Sequence, residues 1–175
     1  MATELKNLSE YDASVLPDMS DKHVAIVVSE WNEQITSGLL KGAKEALISA
    51  NCKEENILIN SVPGTFELPL AATWALNYKK VDGVIALGSV IRGETAHFDF
   101  VCQAASQGIK DVSLEFNKPV IFGVLTDDNL QQAIDRSGGK HGNKGTEAAV
   151  ACMKMIALEE KFSSRNNPNS NNSSP

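Results

Sequence analysis

Apolar residues along this chain come in two rhythms. His23 to Ser29 (HVAIVVS), Asn56 to Val62 (NILINSV), Gly83 to Ile91 (GVIALGSVI) and Pro119 to Thr126 (PVIFGVLT) are short runs rich in β-branched residues. Each predicts a buried strand. Between them the spacing becomes helical: Ile35, Leu39, Ala43, Ala46 and Ala50 share one face over Asn32 to Ala50. Further helices are predicted over Phe66 to Tyr78, Thr95 to Phe116 and Thr146 to Phe162. A short one spans Asp128 to Arg136, capped by Asp127 or Asp128. Pro69 falls in the first turn of its helix, where a missing N–H costs little. Ser137 to Gly145 (SGGKHGNKG) reads as a glycine- and lysine-rich connection.

Strands alternating with long helices imply βαβ units and a parallel sheet covered on both faces. The expected architecture is a three-layer α/β/α sandwich with a four-stranded parallel sheet, of the flavodoxin-like class, with right-handed crossovers. A sheet this narrow has two open edges, which favours a homo-oligomer. The chain of 175 residues divides into an arm (1–21), a domain (22–162) and a tail (163–175). The tail is Ser, Asn and Pro apart from Arg165, and its composition predicts disorder.

Charge and composition narrow the function. The net charge is −6, with no basic cluster large enough for a nucleic-acid backbone or an anionic membrane. The first thirty residues hold no apolar stretch typical of a secretory signal, and no run reaches the length of a membrane span. Cys52, Cys102 and Cys152 stand apart, without a CxxC or Cys/His grouping. They read as single reduced thiols in a cytoplasmic protein, not as disulfides or zinc ligands.

In open α/β sheets, ligands bind beyond the carboxyl ends of the strands. The unusual residues of this chain fall there. Trp31 follows the first strand and offers a flat face to a planar ligand, or a core or interface contact. Trp74, inside a helix, reads as a packing residue. Thr65, Phe66 and Glu67 follow the second strand. Glu67 can accept hydrogen bonds from a polyol or serve as an early-turn acid. Ser89, Val90 and Ile91 end the third strand, and Gly93, Glu94 and Thr95 come next, where free N–H groups suit an anion. His97 can exchange protons near neutral pH, or simply bond at a helix start. His23 reads as structural and His141 as solvated. Arg136, Lys140 and Lys144 form a cationic group. It is either a solvated helix end or a phosphate receptor in which Arg136 makes a two-pronged clamp. No Ser/His/Asp triad, paired carboxylates or metal-ligand cluster is evident. The set suits proton transfer on a planar amine and a small phosphate ester.

Four segments then carry a resemblance: SEWN at Ser29, VPGTFELP at Val62, ALGSVIRGETAHFDFVC at Ala86, and PVIFGVLTDDNLQQAIDRSGGKHGNKGTEAA at Pro119. From about His23 to Leu158 the chain resembles the lumazine synthase family. The resemblance implies a transferase of riboflavin biosynthesis that needs no metal or organic cofactor. Its substrates would be 5-amino-6-(D-ribitylamino)uracil and 3,4-dihydroxy-2-butanone 4-phosphate, and its products 6,7-dimethyl-8-ribityllumazine, phosphate and water. It implies that Trp31 stacks on the pyrimidine and that Thr65, Phe66 and Glu67 hold the ribityl side. The backbone at Ser89, Val90 and Ile91 reads the pyrimidine edge, and Glu94 and Thr95 lie at the butanone phosphate. His97 moves protons, Phe122 covers the ring and Arg136 binds phosphate, while Lys144 and Glu147 line the pocket. Phe122 and Arg136 are implied to come from a neighbouring subunit. The implied assembly is a pentamer or a sixty-chain icosahedral shell, the shell being favoured because Gly138 to Gly145 carries no insertion. Riboflavin synthase is an implied partner. Asn129 and Ser137 depart from the usual residues of the family, and the segment up to and including Asp21 has no clear match. A rival reading is a non-catalytic flavin- or lumazine-binding homologue, which need not keep His97 and Arg136.

Overall fold

The computed structural model describes residues 11–78 and 80–165. Strands β1 (Val24–Ser29), β2 (Ile57–Val62), β3 (Gly83–Ile91) and β4 (Val120–Asp127) form one sheet in the order β2-β1-β3-β4. All pairs are parallel, with Val24 opposite both Ile57 and Gly83, and Val84 opposite Val120. Every residue of β1 is buried, as expected of a strand covered on both faces. The helices are α1 (Glu33–Ser49), α2 (Leu68–Tyr78), α3 (His97–Phe116), α4 (Leu130–Arg136) and α5 (Lys144–Arg165). One core joins the sheet to α1 and α5 through Ile26, Leu39, Leu47, Ile85, Leu87 and Met153. The other joins it to α2 and α3 through Val27, Leu68, Ala72, Ile109 and Val124. These are the three layers that the pattern predicts.

The boundaries show where local chemistry overrides periodicity. Helix α3 starts at His97 rather than Thr95, because Arg92 to Ala96 are exposed and bury no face that would hold a helical turn. Residues Thr65–Glu67 form a separate 3-10 turn before α2. Neither Asp127 nor Asp128 caps α4. Asp127 instead completes β4, its carbonyl accepting the Arg92 N–H at 2.8 Å. The cap is Asn129, whose Oδ1 accepts the Gln132 N–H at 3.0 Å.

The expected connection from Ser137 to Gly145 is more ordered than its glycines suggest. Strands β5 (Ser137–Gly139) and β6 (Gly142–Asn143) pair as an antiparallel hairpin, and α5 begins at Lys144. Asn143 Oδ1 caps that helix, accepting the N–H groups of Gly145 at 2.8 Å and Thr146 at 3.2 Å. A Cβ on Gly145 would lie 1.9 Å from the Leu39 carbonyl oxygen. Glycine is therefore what lets α5 start directly against α1.

Helix α5 runs to Arg165, so Ser163, Ser164 and Arg165 are helical although their composition predicts a disordered tail. The rest of that tail, 166–175, lies outside the described residues, as do residues 1–10 of the arm. The described part of the arm is docked: Met19 is buried and its N–H donates to the Ala50 carbonyl at 2.8 Å. Trp74 is not the packing residue expected. It is 53% exposed beside Leu70, four residues earlier on the same face of α2.

Candidate active site

A cavity of about 670 Å³ opens at the carboxyl ends of β1, β2 and β3, against the first turns of α3. That size suits a small organic ligand. Trp31, Pro63, Gly64, Thr65, Phe66 and Glu67 form one side. Ser89, Val90, Ile91, Gly93, Thr95, His97, Phe98 and Val101 form the other. Ten of the residues singled out from sequence thus meet in one place: Trp31, Thr65, Phe66, Glu67, Ser89, Val90, Ile91, Gly93, Thr95 and His97.

Local backbone chemistry positions each. Asn32 adopts a left-handed conformation (φ 61°), which turns the chain sharply after β1. Its Nδ2 donates to the Ser89 carbonyl at 2.9 Å, tying the Trp31 turn to the end of β3. Trp31 is left 72% exposed and Phe66 60% exposed, two aromatic faces with little protein against them. Thr65 is buried against β3. A Cβ on Gly88 would lie 2.7 Å from Thr65 Oγ1, so only glycine permits this approach. The Glu67 carboxylate folds back toward Gly64. His97 is exposed, and its backbone N–H donates to Thr95 Oγ1 at 3.4 Å. Asp99 turns away from it to Arg92, at 3.3 Å. Residues two apart on a helix diverge in this way.

The remaining candidates lie elsewhere in the chain. Glu94 is exposed on the loop but does not line the cavity. Phe122 sits half-buried on the edge strand β4, packed toward α2 and α3. Arg136, Lys144 and Glu147 form a second group. Buried Glu147 accepts from Lys144 Nζ at 3.1 Å and from Arg136 Nη2 at 3.5 Å. Arg136 Nε is buried without a hydrogen-bond partner among the described residues. Lys140 pairs with Asp135 at 3.7 Å. The cationic group is therefore largely paired within its own chain and is not a free positive patch.

Asp127 belongs to this second region. Its Oδ2 is buried and has no hydrogen-bond partner among the described residues. Burial pushes its carboxyl above the usual range; the Arg136 charge opposes that rise and the Asp128 charge adds to it. The three cysteines are free, and burial pushes every thiol up, Cys152 to about 12. None is set up as a thiolate nucleophile. Among the described residues no cluster of His, Cys, Asp or Glu is arranged to hold a metal, and no helix is long and apolar enough to cross a membrane.

Sequence reasoning missed Phe98 and Val101 as cavity walls and Asn32 as the tie to β3. The last had a signal, since Asn is among the few residues at ease with positive φ.

Fold and site together define a parallel α/β domain with an aromatic cavity at the carboxyl end of its sheet. The chain belongs to the 6,7-dimethyl-8-ribityllumazine synthase family, an enzyme family whose model matches residues 21–160. A protein of that name from Flavobacterium johnsoniae is 55% identical over 163 residues, covering 93% of this chain and 86% of its own length. One from Cytophaga hutchinsonii is 56% identical over 157 residues, covering 90% and 98% respectively. A third, from Parabacteroides distasonis, is 50% identical over 156 residues, covering 89% and 98%.

Proposed function

We propose that this protein condenses 5-amino-6-(D-ribitylamino)uracil with 3,4-dihydroxy-2-butanone 4-phosphate to give 6,7-dimethyl-8-ribityllumazine, the compound in the name its relatives carry. The observation that carries this reading is the convergence of Trp31, Thr65 to Glu67, Ser89 to Ile91, Thr95 and His97 on one cavity. Trp31 is open for stacking on a pyrimidine, worth about 0.5–1.5 kcal/mol beyond burial. Glu67 and Thr65 supply acceptors for ribityl hydroxyls. The backbone of Ser89 to Ile91 is placed to read the ring edge.

The 5-amino group attacks the butanone carbonyl, and loss of water gives an imine. Phosphate leaves by β-elimination, and the resulting enol tautomerises to a ketone. The ribityl-bearing nitrogen then closes the second ring with loss of a second water. His97 relays protons in these steps, a role typically worth ~10²–10⁴-fold. Holding two reactive substrates together supplies much of the rest. A non-catalytic binder would have no use for His97 and Arg136, and this chain keeps both.

Among the described residues no Lys or Arg lines the cavity, yet one proposed substrate carries a phosphate. Arg136 has donors to spare, because among the described residues its guanidinium meets one acceptor, at the long distance of 3.5 Å. We place Arg136, with Phe122, Lys144 and Glu147, at the cavity of a neighbouring copy. Leu70 and Trp74 on α2 and Phe100 and Leu114 on α3 are exposed apolar residues available to an assembly contact. The proposed assembly is a ring of five, twelve rings closing into a shell in which riboflavin synthase is a partner. A sedimenting particle of only five chains would remove the shell.

The test mixes both substrates with the protein and follows lumazine absorbance and phosphate release. Acceleration well above the spontaneous background is expected. Rates equal to that background would reject the reading.

A further inference from the structure

Arg92 has no part in the reading above, yet it joins three elements. Its Nε donates to Asp128 Oδ1 at 3.0 Å and its Nη1 to Asp99 Oδ1 at 3.3 Å. Its guanidinium carbon lies 4.1 Å from the centroid of the Phe98 ring. Its backbone N–H donates to the Asp127 carbonyl at 2.8 Å. One side chain thus connects the end of β3, the first turn of α3 and the junction of β4 with α4.

Two carboxylates around one guanidinium leave no surplus positive charge, so Arg92 is not itself a phosphate receptor. The partners are exposed, and ion pairs of this kind add little to global stability. What a planar fork supplies is direction. Direction matters here because Arg92 to His97 are all exposed and have no apolar burial of their own. A Cβ on Gly93 would meet nothing within 4 Å. This loosely held loop nonetheless delivers Gly93 and Thr95 to the cavity, and Phe98, the ring beneath Arg92, is a cavity wall next to His97.

We infer that Arg92 is a positioning residue. It fixes the loop from 93 to 96 and the first turn of α3, so that Thr95 and His97 face the phosphate-bearing substrate. It also anchors them to the segment that leads to Arg136. The kinetic part of this inference rests on the function proposed above.

Two measurements on the full-length protein test it. In Arg92→Ala, hydrogen exchange of the peptide covering 93–101 should speed up at least fivefold, while β1 and β3 keep their protection. In the same variant the KM for the butanone phosphate should rise about tenfold, with the KM for the pyrimidine within twofold. Arg92→Lys should stay close to the alanine variant, because an ammonium cannot form the fork. Asp128→Asn should add little once Arg92 is gone. Unchanged exchange at 93–101 would overturn the clamp. Faster exchange spread over the whole sheet, or both KM values rising equally, would show a merely structural role and overturn the positioning. An inactive wild-type protein would sink the function instead, and the exchange experiment would still decide the clamp.

Discussion

The chain carries two regions rich in chemistry that differ in what they hold. The cavity between Trp31 and His97 has shape, open aromatic faces and hydrogen-bonding groups, but among the described residues no Lys or Arg lines it. The group around Arg136 has cations, a buried carboxylate and unpartnered polar atoms, but its charges are spent largely on one another. In the first region Trp31, Phe66 and His97 are exposed around buried Thr65 and Ser89. In the second, Glu147 is only 5% exposed. The contrast separates the cavity from the cations that a phosphate ester would need, and it is the basis for proposing a site shared between copies. A second copy that set its Arg136 beside the first cavity would complete both.

Mixing variants tests this division most severely. His97→Ala and Arg136→Ala should each lower kcat/KM by about 10²-fold, the arginine variant chiefly through the butanone phosphate. Refolded or co-expressed together in equal amounts, they should recover about a quarter of wild-type activity, because a head-to-tail ring then contains interfaces with both residues intact. A site built within one chain predicts no recovery. Activity that stays at the level of the single variants would break the comparison outright.

Gly145→Ala separates scaffold from site in the second region. Its Cβ would collide with the Leu39 carbonyl, a backbone atom that cannot swing aside. Overpacking of this kind costs about 1–3 kcal/mol, occasionally more. Thermal melts should show a loss of several degrees or more, with both KM values unaltered in the protein that remains folded. A normal melting temperature with weakened phosphate use would instead make this glycine part of the ligand site.

That glycine also shows how far the sequence could be read. Buried parallel strands announce themselves, because β1 and β3 need unbroken apolar runs whatever surrounds them. The clustering of unusual residues at strand ends follows from topology, so Trp31, Glu67 and His97 were legible together. The glycines from 138 to 145 were not. They read as a glycine- and lysine-rich connection, whereas Gly145 serves a helix contact with Leu39, a residue far away in the chain. The pairing of Lys140 with Asp135 and of Lys144 with Glu147 was equally hidden, since a list of charges does not say which neutralise one another. Arg92 escaped for the same reason: its worth lies in three partners brought together by the fold.

Trp31→Ala touches only the cavity. It should raise the KM for the pyrimidine about three- to tenfold, in line with the loss of one stacking contact, and leave that of the butanone phosphate within twofold. Equal effects on both substrates would mean that Trp31 shapes the whole cavity and does not act as a platform for one ring.

Asp127→Asn gives the smallest effect and probes the second region alone. Burial raises the Asp127 carboxyl above its ordinary value of 3.8, so the folded protein holds that proton more tightly than the unfolded chain. Stability from this group is complete below about 3.8 and is lost as pH rises through the higher folded value. An amide never ionises and avoids that loss. The variant should therefore melt higher than wild type at pH 7, by ~2–4 °C for each kcal/mol relieved, and the gap should close toward pH 3. Arg136 opposes the rise, so introducing Arg136→Ala into both proteins should widen the difference between them. A lower melting temperature for Asp127→Asn at pH 7 would show the ionised carboxylate to be a needed partner of Arg136, and the guanidinium would then have fewer donors left for a phosphate than the structure suggests.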